Sequence, residues 1–394
     1  MANNAWRNPT NPVVAQVWKG SVTTTTNGHT YILTLTAGNG DTAVVTYTVV
    51  NPPDTTVTLV AAGLVAAWNA STNPMVAAIT ATQNAGQIIL TADTAGVPFS
   101  VGASGTGTWS GTGNTTANVG NNDYGTARNW QLDAVPASTN DVLVDGPQSV
   151  SLLYSLNQSS VAIADFRVFP GFNGQIGRFE NSVPHYLRID PDLFRYEGSG
   201  QLALIDIGSA AISAYINSSG TPTAGRNGIY LLGSAITTLE IVRGNLGLAA
   251  LDGETATVTT IKVGYVNNQQ GDVNFTIGSG VTLTTLDQGG GIGVLRCAAT
   301  TVTNGVNSQL RTEGSGAITT INAYGTCEPN STGTITNLNV YGTVDFSKSK
   351  IARTVTNCTL YPGARLIRGP WMTFTNGIVG PSTGAGQATV EYRQ

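Results

Sequence analysis

The chain has 394 residues, of which 10 % are Asp, Glu, Lys or Arg, 41 % are hydrophobic and 48 are glycine. Globular domains average about 25 % charge, so Thr, Ser and Asn stand where charge is usual, while regular Val, Ile and Thr exclude disorder. The net charge of −4 has no basic block, which excludes a nucleic-acid footprint, and no run reaches the ~18 apolar residues of a membrane span.

Residues 1–15 are rich in Asn and Pro and have no periodic apolar face. They read as an extended N-terminal arm, with Trp6 free to dock on another subunit. Residues 16–102 read as a small α+β module. "HTYILTLT" alternates strictly and puts Tyr31, Leu33 and Leu35 on one face of a strand. "GNGD" at 38–41 is a turn signal, and "TAVVTYTVV" completes a hairpin. After "NPPD" the period changes. Leu59, Ala62, Gly63, Ala66 and Ala67 recur at helical spacing, with Thr55 or Thr56 as N-cap and Asn69 near the end. Two further strands flank the turn "NAG" at 84–86. The expected order is ββαββ, one helix on one face of an antiparallel sheet.

"YTVVNPPDTTVTLVAAGLVAAWNAS" followed by "LTADTAGVPFSV" resembles a module that recurs in tail and other virion proteins of tailed bacteriophages. The resemblance covers about 85 residues. Residues 103–144 read as a Gly/Thr/Asn-rich linker leading into a solenoid. Its last part, "NWQLDAVPASTNDVLVDG", resembles the start of solenoidal β-proteins such as autotransporter passengers.

From residue 236 the chain returns to one motif, apolar-Thr-Thr-apolar. It appears as "ITTLEI", "VTTIKV", "LTTLDQ", "ATTVTN", "ITTINA", "ITNLNV" and the degenerate "VTNCTL". The irregular period suits the coils of a solenoid rather than a helical repeat. The fold class expected is therefore mainly β: a right-handed parallel β-helix over residues 145–370, preceded by the α+β module. About ten coils at the ~4.8 Å strand spacing would make a column on the order of 45 Å long. Apolar letters point inward, and Thr hydroxyls stack outward without like-charge repulsion. Residues 371–394 leave the repeat and carry Trp371 and Phe374, which suggests a cap or an inter-subunit segment.

No catalytic residue, cofactor site or metal site is expected. Asp190, Asp192 and Asp206 are close in sequence and could act as a glycosidase pair, but "DPD" more often caps turns. His29 and His185 have no Ser or Asp at a recognisable spacing and read as surface or half-buried. "GGGIG" at 289–293 lacks the Lys-Ser/Thr of a phosphate loop and reads as a turn. Cys297, Cys327 and Cys358 are an odd set at wide spacing, hence core thiols. Tyr324, Tyr341 and Tyr361 fall at one corner and could form a stripe that contacts glycan. Trp6, Trp18 and Trp371 are candidate interface anchors.

The N-terminus lacks the charged-then-apolar pattern of a secretory signal. With the composition and the resemblance, this implies a virion location. The expected function is a bacteriophage structural protein in a decoration, cement or tail-associated position. It would attach through its N-terminal region to other virion proteins of capsid or tail. A homo-oligomer, first of all a trimer, is the expected state. Neither nucleic acid nor membrane is an expected partner. The alternatives are a tailspike that degrades or binds host surface glycan, and a bacterial surface adhesin.

Overall fold

One buried row runs through the largest sheet of the protein, which is mainly β. The computed structural model describes residues 2–7, 12–145, 150–209, 212–264, 273–348, 350–381 and 386–393. Parallel register ties Asn4 to Val142, then Phe166, Phe194, Ala214 and Leu239. It continues through Ile261, Leu286, Val302, Ile321 and Leu338 to Cys358 and Ile378. From Asn4 to Cys358 no member of the row is more than 2 % exposed. Each inward side chain rests on the one before it, so the core is built rung by rung.

The Thr motifs fall in this register. Ile236, Val258 and Leu283 stack, and Ala299, Ile318, Ile335 and Val355 stack in turn. Ile318 and Ile335 lie opposite each other on parallel strands, both buried. An outward row runs Thr238, Thr260, Thr285, Thr301, Thr320, Asn337 and Asn357. Asn357 donates to Asn337 at 2.8 Å and Asn376 to Asn357 at 2.6 Å, so uncharged amides bond along the sheet. Where charge enters a neighbouring row it alternates in sign: Glu240, Lys262 and Asp287 are successive partners.

Every ladder of this sheet is parallel, and long strands pair on both sides. Ile229–Leu248 pairs with Ala203–Asp206 and Ile212–Asn217, and also with Ala256–Val263 and Val273–Ile277. The strands are therefore linked in one parallel network that runs from Asn3–Ala5 to Thr389–Tyr392. Glycine is required where successive passes of backbone nearly touch. A Cβ on Gly333 would lie 2.2 Å from the Gly316 carbonyl oxygen, and one on Gly316 2.3 Å from the Cys297 carbonyl carbon.

Several boundaries differ from expectation. Asn3–Ala5 pairs with Asp141–Val144, so residues 1–15 are not a free arm. Three residues with one buried position carry no readable period, and their partner is distant in sequence. The sheet also begins before residue 145 and runs past 370. Met372–Phe374, Ile378–Val379 and Thr389–Tyr392 continue it in parallel, so residues 371–394 are not a separate cap. "GGGIG" is not a simple turn. It lies inside the strand Val281–Leu295, whose register shifts between Gln288 and Gly290. Gly291 has φ +82°, and the buried Gln288 amide donates to its carbonyl at 3.0 Å.

The N-terminal module is larger than ββαββ. Val17–Val22 pairs antiparallel with Gln87–Ala92 and with Trp109–Thr116, and Ile79–Asn84 completes four strands. Thr30–Ala37 pairs antiparallel with Thr42–Thr48 and Phe99–Gly105 in a second sheet. Residues 103–105 and 109–116, expected in the linker, are thus strand residues of the module. Their Gly/Thr/Asn faces are largely exposed and hide the strand period. The helix Val57–Asn69 starts at Thr56, whose hydroxyl accepts from the Leu59 N–H at 3.3 Å. It buries Val60, Ala61, Leu64 and Trp68, not the stripe led by Leu59, which is 44 % exposed. Trp68 decides the rotation: its indole N–H donates to the Ile79 carbonyl at 2.8 Å. Tyr31, Leu33 and Leu35 share this core and are fully buried, as their alternation predicts.

Candidate functional site

Tyr324, Tyr341 and Tyr361 follow the registered inward residues Ala323, Val340 and Leu360. Their rings stack face to face, with centroids 4.3 and 4.0 Å apart and planes within 10° and 14° of parallel. The corner is tight. A Cβ on Gly342 would lie 2.2 Å from the Tyr324 carbonyl oxygen. Hydrogen bonding to Tyr361, then burial, then bonding to Tyr324 push the Tyr341 phenol upward. Stacking of this kind contributes about 0.5–1.5 kcal/mol per pair beyond burial.

This arrangement limits what the stripe can bind. A sugar ring stacks on an open aromatic face, and the ladder spends its inner faces on itself. Among the described residues no ring covers the other face of Tyr324, which is 40 % exposed. The preceding rung has Gly305 at this corner, and Val306 beside it is 76 % exposed. The ladder thus offers ring edges and hydroxyls along its length, and among the described residues no further ring covers the outer face of either end member, Tyr324 or Tyr361.

Two of the three carboxylates meet at Gly208: Asp206 bonds its N–H, and a Cβ on Gly208 would lie 3.0 Å from Asp190 Oδ1, which is buried without a hydrogen-bond partner. Asp190 and Asp192 lie on the strand Leu187–Tyr196, on either side of the buried Pro191. Asp206 accepts from the Gly208 N–H at 3.1 Å and lies 3.9 Å from Arg188. None of the three lines the cavities described below. Among the described residues no group of three or more His, Cys, Asp or Glu is placed to hold a metal ion. The three cysteines are buried and free, and burial pushes each thiol up to about 12.

The tryptophans divide. Trp6 is 2 % exposed and packs edge-on against Trp130 at 5.0 Å, and Trp18 is 3 % exposed beside Trp109 at 6.4 Å. Both are consumed by their own chain and are not anchors for another. Each needed a partner more than 90 residues away, which spacing alone does not reveal. Trp371, at 55 % exposure, remains available.

A junction not foreseen in the sequence joins the module to the large sheet. Arg178–Glu180 and Val183–His185 form an antiparallel hairpin. Its turn, Asn181-Ser182, has φ +49° and +70°, the positive pair of a two-residue hairpin turn. The hairpin meets the module turn at residues 38–41. Asn39 donates to Glu180 Oε2 at 2.6 Å and to Asp41 Oδ2 at 3.0 Å. The Ser155 N–H donates to the Gly38 carbonyl at 3.0 Å. Arg178 bonds Glu180 at 2.8 Å and lies over the Tyr154 ring at 4.6 Å. A Cβ on Gly38 would lie 3.0 Å from Tyr154 Cδ1, so the turn is pressed against the sheet. Clefts of about 360 and 520 Å³ share Ala37, Gly38, Asn39 and Asp41 in their lining, one with Arg178 and Glu180, the other with His185 and Arg188.

His185 is 7 % exposed, not a surface or half-buried residue as expected. Its Nε2 has no hydrogen-bond partner, yet lies 3.8 Å from Asp41 Oδ2 and 4.0 Å from Glu180 Oε2. The signals for this site were the turn "GNGD" and the Asn-Ser pair between two short strands.

Comparison with protein-family models, with curated proteins and with solved structures finds no match to this chain.

Proposed function

We propose that the large sheet is a parallel β-helix and that the chain is a structural component of a tailed-bacteriophage virion, in a decoration, cement or tail-associated position. The observation that carries this reading is the uninterrupted registered row from Asn4 to Ile378, buried as far as Cys358, beneath outward rows of Thr and Asn. At the ~4.8 Å rung spacing that row spans roughly 58 Å, longer than its motif count suggests. The right hand follows from the general chirality of parallel crossovers. Such a column is stiff, sparsely charged and suited to bracing or projection rather than catalysis. Homo-oligomerisation, as a trimer, rests on Trp371 alone once Trp6 and Trp18 are placed in their own core.

The test is to follow the protein with an antibody through density-gradient purification of particles from the source culture. Co-migration with intact particles, resistant to high salt, is the expected result. Absence from every particle fraction would end this reading.

A second reading, a host-glycan receptor, is favoured by one feature, the 40 % exposure of Tyr324 at the end of the stack. It predicts glycan-array binding that is lost in Tyr324→Ala and kept in Tyr361→Ala.

A further inference from the structure

We propose that the strand Thr389–Tyr392 is a docking edge for a second copy of this chain, paired antiparallel with its own counterpart and centred on Tyr392. One side of this strand is spent on Arg365–Arg368. There the Thr389 N–H donates to the Ala364 carbonyl at 2.8 Å and the Arg393 N–H to the Arg368 carbonyl at 3.0 Å. Backbone groups alternate in direction along a strand, so those of Thr389, Glu391 and Arg393 face the sheet, and those of Val390 and Tyr392 face away. Among the described residues the backbone of Val390 and Tyr392 meets no partner on that outer side. The Tyr392 side chain is largely exposed.

Two features select a second copy as the occupant. The first is the state of the opposite end. The first rung is covered where the Gln131 N–H meets the Ala5 carbonyl at 2.9 Å, so copies do not add head to tail through strand edges. Two last rungs remain, and a two-fold contact between them is closed, with no further growth. The second is the order of charges. The outward groups of Val390 and Tyr392 must pair with each other, which restricts the register. Pairing Val390 with Val390 sets Glu391 opposite Thr389. Pairing Val390 with Tyr392 sets Glu391 opposite Glu391, and like charges directly opposite are destabilising. Pairing Tyr392 with Tyr392 sets Glu391 opposite Arg393, and the two-fold repeats that pair. Arg365 already holds Glu391 through bonds of 2.7 and 3.0 Å, while Arg393 stays 3.6 Å away in its own chain and has the reach to serve the partner. The same register lays one exposed tyrosine ring beside the other. Charge on an edge discourages pairing in general; here its sign order admits one self-complementary register. The contact is end-on and does not depend on the virion reading.

Thiol cross-linking of the full chain reads the contact and its register together. The native cysteines are buried, so a maleimide meets them slowly. In the proposed register two copies of residue 392 lie directly opposite, with Cα atoms about 5.5 Å apart, and two copies of residue 390 lie about 14 Å apart along the strands. With a short bismaleimide, Tyr392→Cys should therefore give a covalent dimer at least about tenfold faster than Val390→Cys. Adding Arg393→Glu to Tyr392→Cys sets Glu opposite Glu and should slow the cross-link about fivefold, with the melting curve unchanged because the Arg393 side chain is half exposed. Reversing the sign at both places, with Glu391→Arg and Arg393→Glu together, should restore it. No covalent dimer from Tyr392→Cys, equal or faster reaction of Val390→Cys, or a rate indifferent to Arg393→Glu overturns the proposal.

Discussion

The two ends of the large sheet are finished by opposite means. At the first rung the edge is covered. The Gln131 N–H donates to the Ala5 carbonyl at 2.9 Å, and the Asn4 amide donates to Ala134 at 2.9 Å while accepting from Leu132 at 3.2 Å. Trp6, Tyr124 and Trp130 close the core above it, none more than 2 % exposed. At the last rung no further strand pairs with Met372–Phe374, Ile378–Val379 or Thr389–Tyr392 among the described residues. Trp371, Val379 and Tyr392 are 55, 60 and 74 % exposed there. Charge, scarce elsewhere, gathers at this edge. Arg365 grips Glu391 through two bonds of 2.7 and 3.0 Å, Arg393 lies 3.6 Å away, and Arg368 sits over Tyr392. An open strand edge invites pairing with another chain, and charge on the edge is a common restraint. Among the described residues one end is thus sealed by packing, and the other carries no further strand and is lined by charge.

The sharpest break of this contrast is at the sealed end. Trp130→Ala should destabilise the chain by about 3–5 kcal/mol, because it empties a fully buried indole site. It also frees the Tyr124 carbonyl that the indole N–H meets at 2.8 Å. Equilibrium denaturation measures this. A loss under about 1 kcal/mol would mean that the aromatic cluster does not seal this edge of the sheet.

A smaller effect should separate the ends by rate. The three thiols have pKa values pushed up to about 12, so at neutral pH they react only after local opening. Cys358 is registered with Ile378 of the last rungs, whereas Cys297 and Cys327 lie deeper in the sheet. Under native conditions an aromatic disulfide reagent should label Cys358 about tenfold faster than the other two. Equal rates would mean that the large sheet opens only as a whole and that its ends do not differ in fraying.

The same contrast explains what the sequence could and could not reveal. The repeat was legible because Ile318, Ile335 and their counterparts recur inward at each rung, and a local period survives inspection of a single chain. The tyrosine stack was legible for the same reason. The sealed end was not, because Asn3–Ala5 finds its partner near residue 141 and its cover near residue 130, and neither distance leaves a local mark. The strand residues from 103 to 116 were hidden because exposed Gly, Ser and Thr outnumber the few apolar side chains, Ala103 and Trp109, that pack on the module core. The junction was half legible. Its turn at 38–41 stood out, while the hairpin that brings Glu180 and His185 to it shows only as an Asn-Ser pair. No spacing rule brings Asp41 to His185 across 144 positions.

The smallest expected effect is at the open end, and it is the one that ties architecture to assembly. Trp371 lies just before the strand Met372–Phe374, and its ring is more than half exposed. Removing it from an isolated chain deletes little buried area, so Trp371→Ala should change stability by under about 0.5 kcal/mol. Trp6→Ala, on an equally large side chain at the covered end, should cost several kcal/mol by the cavity argument. If the open end is where copies meet, the Trp371 variant will also shift the sedimentation profile toward smaller species with its melting curve almost unchanged. That pairing of a silent stability effect with a visible loss of association is specific to an exposed anchor. A Trp371→Ala chain that loses more than about 1.5 kcal/mol would show the ring to be packed in its own fold, and the last rung would then count as closed.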